Sequence, residues 1–126
     1  MKASYNRDYF PAAPFVEVSF ITAAESRRVG PLPAFVDSGA DGTIVPIAFL
    51  NSISAPPTVE MVMSSQWGES RPVLMYLVDV QIGDITLPGM EVVGDHLSDE
   101  VVLGRDILNH LRLLLDGPAQ TVTITE

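Results

Sequence analysis

The segment Phe35-Val36-Asp37-Ser38-Gly39-Ala40-Asp41-Gly42-Thr43-Ile44-Val45-Pro46 holds the residues best suited to chemistry. An apolar approach ends on an acid, a small flexible turn follows, and an apolar run leaves it. This pattern lifts one carboxylate out of a β-structured core on a tight loop, because Gly39 can take backbone angles closed to other residues and lets another chain come close. Asp37 is the candidate reactive group. A carboxylate can act as a general acid or base, and two in contact share one proton, one ionised to take a proton from water and the other protonated to donate one. Asp-Ser-Gly is also good turn chemistry, so an ordinary turn aspartate is the plain alternative. Asp37, Asp41 and Gly42 hint at a calcium loop as well, but the later oxygen ligands are missing at the spacing such a loop needs.

A second block, Val101-Val102-Leu103-Gly104-Arg105-Asp106-Ile107-Leu108, follows much later, with Gly104 67 positions after Asp37. His96 and His110 belong to no metal-binding or triad pattern and read as surface or helix-flank residues. The chain has no cysteine, which excludes disulfides, thiolate metal sites and a cysteine nucleophile.

Short strands must position these groups. Phe15 to Ile21 alternates, with Val16, Val18 and Phe20 on one face and Glu17 and Ser19 on the other. Ala23 to Gly30 reads as a polar connection. Leu32 to Val36 then delivers Asp37, and Thr43 to Val45 leaves the loop. Ile47 to Ile53 has the makings of a short helix entered through Pro46. Thr58 to Ser64 and Arg71 to Ile82 form a hairpin whose polar tip, Ser65 to Ser70, holds the single tryptophan, Trp67. Gly83-Asp84 turns the chain into Ile85 to Leu87, and Glu91 to Val93 extends that strand. Val101 to Leu103 is short and fully apolar. The run Arg105 to Leu113 carries Ile107, Leu108 and Leu111 at helical spacing and predicts about two turns of helix. Leu113 to Leu115 and Thr121 to Ile124 make a terminal hairpin around Asp116-Gly117. Residues 1–14 form an N-terminal arm without periodicity, and residues 15–126 a single domain.

Asp37-Ser38-Gly39-Ala40 between apolar strands, together with the Gly104-Arg105-Asp106 block, resembles the paired signature of retropepsin-like, single-lobe aspartic proteases. The resemblance runs from about Phe15 to Ile124, with close matches only in these two blocks. It implies an all-β, barrel-like acid-protease lobe with one short C-terminal helix, and an aspartic endopeptidase that needs no metal and no cofactor. Only one Asp-Ser-Gly is present, so the resemblance implies a homodimer in which Asp37 of each subunit meets at the two-fold axis. Ser38 would hydrogen-bond across that dimer, Gly39 would let substrate backbone approach, and Ala40 belongs to the same active-site loop. Asp41 would pair with Arg105 in a partly buried clamp, against the alternative of an isolated surface pair. The hairpin tip Ser65, Gln66, Trp67 and Gly68 would be the flap over an extended peptide, although Trp67-Gly68 replaces the usual glycine-rich tip. Trp67 folded back onto the core is the other reading. Met61, Met63 and Met75 would line an apolar cleft or simply pack the core.

The 126 residues suit one domain, and a 47% hydrophobic content with ten Pro and nine Gly suits many short strands. The formal charge of −9 repels phosphate backbones and anionic lipids, so neither nucleic acid nor a membrane is an expected partner. The absence of cysteine and of an apolar signal segment makes the cytoplasm the expected compartment, and the initiating Met favours a cellular or bacterial protein over one cut from a viral polyprotein. The alternative function is a catalytically silent binding or dimerisation module on the same fold.

Overall fold

The first strand, β1 (Lys2–Ser4), shows how the N-terminal arm is held: it pairs antiparallel with the last strand, β10 (Thr121–Thr125). The N-terminal ammonium adds a 2.7 Å hydrogen bond to the Ile124 carbonyl. β10 in turn pairs with β9 (Arg112–Asp116), giving a three-stranded sheet in the order β1-β10-β9. Val122 and Ile124 point from it into the core and are fully buried. The computed structural model describes residues 1–126 with the exception of Gln66.

The main sheet has seven strands in the order β2-β3-β8-β4-β7-β6-β5. These are β2 (Phe15–Thr22), β3 (Arg27–Val36), β4 (Ile44–Pro46), β5 (Pro57–Ser64), β6 (Ser70–Ile82), β7 (Ile85–Asp95) and β8 (Val101–Leu103). A further pairing of β2 with β6 closes the sheet into a barrel, and β5 projects from it as the outer half of the β5–β6 hairpin. The length of β6 makes this possible, since its first half pairs with β5 and its second half with β2. Among the described residues, two short α-helices, α1 (Ile47–Ser52) and α2 (Arg105–Leu108), and a 3-10 turn at Ala23–Glu25 complete the fold. Val18, Phe20, Ala34, Val45, Val80, Val92 and Leu103, all with no exposed surface, fill the barrel. Each buried side chain of the larger kind contributes about 1.5–3 kcal/mol.

Several sequence expectations shift. Half of the connection expected over Ala23 to Gly30 is strand, because after a 3-10 turn at Ala23–Glu25 the β2–β3 hairpin runs on through Phe20↔Val29, Ile21↔Arg28 and Thr22↔Arg27. Gly30 permits this at a φ of +118°, with so little room that a Cβ would lie 2.7 Å from the Val18 carbonyl oxygen. Ser19, expected on the polar face, is buried, because the β2–β3 register shifts between Val18 and Phe20. The helix expected over Arg105 to Leu113 stops after one turn. Arg112 to Asp116 pair residue by residue with β10, and that ladder overrides the helical spacing of Leu108 and Leu111. The short helix expected after Pro46 forms.

Candidate active site

The topology that presents Asp37 is a crossing. β3 brings the chain in, β4 takes it away, and β8 lies between them, parallel to β3 and bridged antiparallel to β4. The loop from Asp37 to Thr43 must therefore arch over the end of β8. The Asp37 N–H donates to the Leu103 carbonyl at 3.0 Å, and the Arg105 N–H donates to the Ala40 carbonyl at 2.8 Å. Within the loop, the Gly39 N–H donates to Asp37 Oδ1 at 2.9 Å and the Ala40 N–H to the Asp37 carbonyl at 3.2 Å. One carboxylate oxygen is thus fixed by the loop's own backbone. Asp37 is half-buried, and Ser38 and Gly39 are exposed.

Space, rather than backbone angle, is what Gly39 supplies. It does not have a positive φ, contrary to the expectation from sequence, but a Cβ there would stand 3.1 Å from Asp37 Oδ1. Gly104 is tighter still, since a Cβ there would lie 2.5 Å from the Gly42 oxygen and 3.0 Å from the Ala40 oxygen. The arch rests directly on Gly104.

Arg105 reaches back beneath the same loop. Its guanidinium donates to the Ser38 carbonyl at 2.8 Å and pairs with the Asp41 carboxylate. The structure thus brings together Asp41 and Arg105, but the Asp41 side chain is 92% exposed, so in the single chain this is a surface clamp and not a partly buried one. A pair so open to water contributes little to stability. Its value lies in tying Ser38 and Asp41 to α2.

The sequence reading missed the buried brace behind the arch. Thr43 is completely buried, and its hydroxyl donates to Asp106 Oδ1 at 2.8 Å while accepting the Gly104 N–H at 3.0 Å. The Thr43 N–H adds a bond to Asp106 Oδ2 at 3.1 Å. Asp106 stands in the Gly104-Arg105-Asp106 block, and a threonine closing an otherwise apolar exit is the signal that a buried hydroxyl needed a partner. Thr43→Val keeps the shape but strands the Gly104 N–H and leaves Asp106 Oδ1 with the Ile107 N–H alone, so it is expected to cost about 1–3 kcal/mol. A urea melt of the two proteins measures it.

A second missed group is Asp95, at the end of β7. Its buried carboxylate accepts Arg71 Nη2 at 2.9 Å and the N–H groups of Leu97 and Ser98 at 3.2 and 3.1 Å. Arg71 is the second residue of β6, so this ion pair fastens the return strand of the hairpin to the loop before β8. Burial pushes the Asp95 carboxyl up. The Arg71 hydrogen bond, the Leu97 N–H, the Arg71 charge and Ser98 outweigh it, leaving the group below the usual 3.8. A depressed folded value means that the stabilisation is complete above the unfolded value and is lost as pH falls through the folded one. Arg71→Gln is therefore expected to move the acid-unfolding midpoint to higher pH, and circular dichroism during acid titration reads that shift.

Paired residues on neighbouring strands share a face, and one such row crosses the site. Phe15 pairs with Phe35, Phe35 with Val102, Val102 with Ile44, Ile44 with Val93, and Val93 with Met75. Asp37, two residues beyond Phe35, belongs to the same face. Ala34, Val36, Val45 and Leu103, which alternate with these residues, face the core. The row continues up the hairpin through Val73 and its partner Met61, then Arg71 and its partner Met63. Met61, Met63 and Met75 thus share one apolar band with the floor beside Asp37.

At the hairpin tip, the Ser65 N–H donates to the Glu69 carbonyl at 2.7 Å, and the Ser65 hydroxyl accepts the N–H groups of Trp67 and Glu69. Gly68 closes the turn at a φ of +82°. Trp67 is 81% exposed and is not folded back onto the core. Gln66, also expected in the tip, lies outside the described residues. Both histidines are exposed. Among the described residues there is no group of three or more His, Asp or Glu able to hold a metal ion, and no helix long and apolar enough to cross a membrane.

Residues 28–110 match the family model described as "gag-polyprotein putative aspartyl protease". The chain belongs to this family. The matched segment contains both the Asp37 arch and the Gly104-Arg105-Asp106 block that supports it. Among solved structures, the chain is similar to a retropepsin-like aspartic protease from Rickettsia conorii, with a TM-score of 0.66 and 14% identity, covering 98% of this chain and 88% of that one. It is also similar to EIAV protease complexed with the inhibitor HBY-793, with a TM-score of 0.60, 17% identity and coverage of 86% and 93%. A third is the retroviral protease-like domain of Ddi1 from Leishmania major, with a TM-score of 0.56, 17% identity and coverage of 90% and 89%. These likenesses establish a retropepsin-like fold. No curated protein sequence matches the chain.

Proposed function

We propose that this aspartyl protease family member is an endopeptidase that acts as a homodimer, with Asp37 of each subunit holding the attacking water between them. The observation that carries the reading is the Asp37 arch: a carboxylate with one oxygen pinned by the Gly39 N–H, seated over Gly104 and open to solvent on the other side. One chain offers one such carboxylate, and the chemistry needs two in contact. Aspartic proteases are themselves the type case of two acids sharing one proton. In the proposed cycle, the ionised Asp37 takes a proton from water as the protonated one polarises the scissile carbonyl. The resulting tetrahedral species then collapses as a proton passes to the leaving amine, and no covalent enzyme intermediate forms.

The neighbouring residues take supporting roles in this reading. Ser38, exposed beside Asp37, faces the partner subunit. Gly39 and Ala40 offer backbone to an extended substrate, and Asp41, held by Arg105, borders the same strip. Trp67 and its neighbours Ser65, Gln66 and Gly68 act as the flap, which covers substrate and excludes water. The dimer draws on β9, which leaves one edge of the three-stranded sheet unpaired and exposes Leu114 (60%) and Leu115. An open apolar edge of this kind is a template for strand pairing with another chain. Residues 15–126 serve as the protease domain, with the arm docked on it.

The test is incubation with a library of extended peptides from acid to neutral pH, with products identified by mass. Cleavage within the peptides supports the proposal. A dimer that binds peptides and cleaves none would favour a binding module on this fold.

A further inference from the structure

The β5–β6 hairpin leaves the barrel with little to hold it. Its pairing with β7 ends at Leu74↔Gly94, and from there to the tip β5 and β6 pair only with each other. Every residue of β5 is exposed except Met63, which is half-buried, and among the described residues Val73 is the buried one nearest the tip. A cavity of about 250 Å³, lined by Arg71, Val73, Leu74, Gly94 and His96 among others, lies between the hairpin and the loop after β7. Packed side chains therefore do not join the two there. A stretch with so few buried contacts moves on its own unless something ties it.

Among the described residues, one side-chain hydrogen bond crosses from residues 60–72 to the rest of the chain, and it is the bond from Arg71 to Asp95. It acts close to the tip. Arg71 pairs with Met63, and a single pair, Ser64↔Ser70, separates it from the turn that carries Trp67. Asp95 is a fixed point at the other end. Its side chain is only 6% exposed, and the N–H groups of Leu97 and Ser98 hold it. Its backbone pairs with Pro46 on β4, the strand that leaves the Asp37 loop. The ion pair thus ties the hairpin tip to the frame that carries Asp37.

We infer that Arg71 is a positioning residue, which acts through Asp95 to hold the β5–β6 hairpin in the orientation from which its tip closes over peptide. The inference rests on the peptidase reading for what the tip covers. Without the ion pair the hairpin spreads over many orientations, and binding weakens by the fraction of time spent in the others. The chemistry at Asp37 is untouched. Loss of Arg71 therefore raises KM and leaves kcat, the pattern of an interaction made equally with bound substrate and transition state. A single Nη2 atom makes the contact, without the two-pronged fork that only arginine offers, so the charge and reach of lysine suffice to replace it.

Trp67 is the only tryptophan, so its fluorescence reports the tip alone. The test compares its time-resolved anisotropy in wild type, Arg71→Gln and Arg71→Lys at neutral pH without ligand, and then KM and kcat for a cleaved peptide. Arg71→Gln is expected to lose more anisotropy in the fast, segmental phase and to raise KM about 3- to 10-fold, the contribution of one partly exposed hydrogen bond. Arg71→Lys should restore both. Partial unfolding gives a different pattern, since it lowers apparent kcat and leaves KM. Equal Trp67 anisotropy in wild type and Arg71→Gln overturns the inference, as does a freed tip with unchanged KM. A wild type that cleaves nothing, together with a freed tip in Arg71→Gln, would remove the peptidase reading and leave the restraint on the hairpin standing.

Discussion

Asp37→Asn is expected to abolish peptide cleavage while leaving the fold intact. The amide keeps the size of the carboxylate and an oxygen to accept the Gly39 N–H, so the arch over Gly104 need not move. What it loses is the ability to take up and return a proton. Positioned acid–base groups contribute about 10²- to 10⁴-fold each. The substitution appears in both subunits of a homodimer, so the loss should reach the upper part of that range or exceed it. Steady-state cleavage, with circular dichroism as the control for folding, measures both halves of this expectation. Residual activity above one-tenth would show that Asp37 is not the proton-transferring group.

Gly104→Ala should disable the site with a single methyl group. The added Cβ meets backbone and no movable side chain: the Gly42 oxygen at 2.5 Å, the Gly42 carbonyl carbon at 2.6 Å and the Ala40 oxygen at 3.0 Å. The loop must therefore rise. Overpacking of this sort costs about 1–3 kcal/mol in stability. Displacing a reactive group by about 1 Å costs on the order of 100-fold in rate. The hydrogen bonds from the Arg105 N–H to Ala40 and from the Gly104 N–H to Thr43 would be stretched by the same movement. A modest fall in the urea midpoint with a far larger fall in cleavage rate is the expected signature. Equal rates in Gly104→Ala and wild type would mean that the arch does not set the position of Asp37.

The shape of the Asp37 loop was legible in the sequence because its information is local. An apolar strand, an acid, a small turn and an apolar exit are contiguous, and the structure builds them in that order. Strand boundaries from β5 to β8 and around the terminal hairpin were legible for the same reason, since alternation and the turns at Gly83 and Gly117 lie within a few residues of the strands they join. What could not be read is pairing at a distance. β8 inserts between β3 and β4, and nothing in Val101 to Leu103 names its neighbours. The bonds of Thr43 to Asp106, Arg71 to Asp95 and Tyr9 to Glu100 each join a plausible surface residue to a partner far along the chain. Only the closed barrel turns these six residues into three braces. The over-long helix after Gly104 has the same origin, because the pairing of Arg112–Asp116 with β10 that ends it is invisible in the local apolar spacing.

The central claim is that the working site is made from two copies of Asp37, and titrating inactive chains into active ones tests it most directly. Wild type is diluted through a wide concentration range, and Asp37→Asn chains are then added at fixed wild-type concentration. The account predicts that cleavage per wild-type chain falls on dilution, and that excess Asp37→Asn chains remove the remaining activity by forming mixed dimers. Cleavage per chain that stays constant on dilution and is untouched by Asp37→Asn chains would show that one chain carries a complete site, and would contradict it.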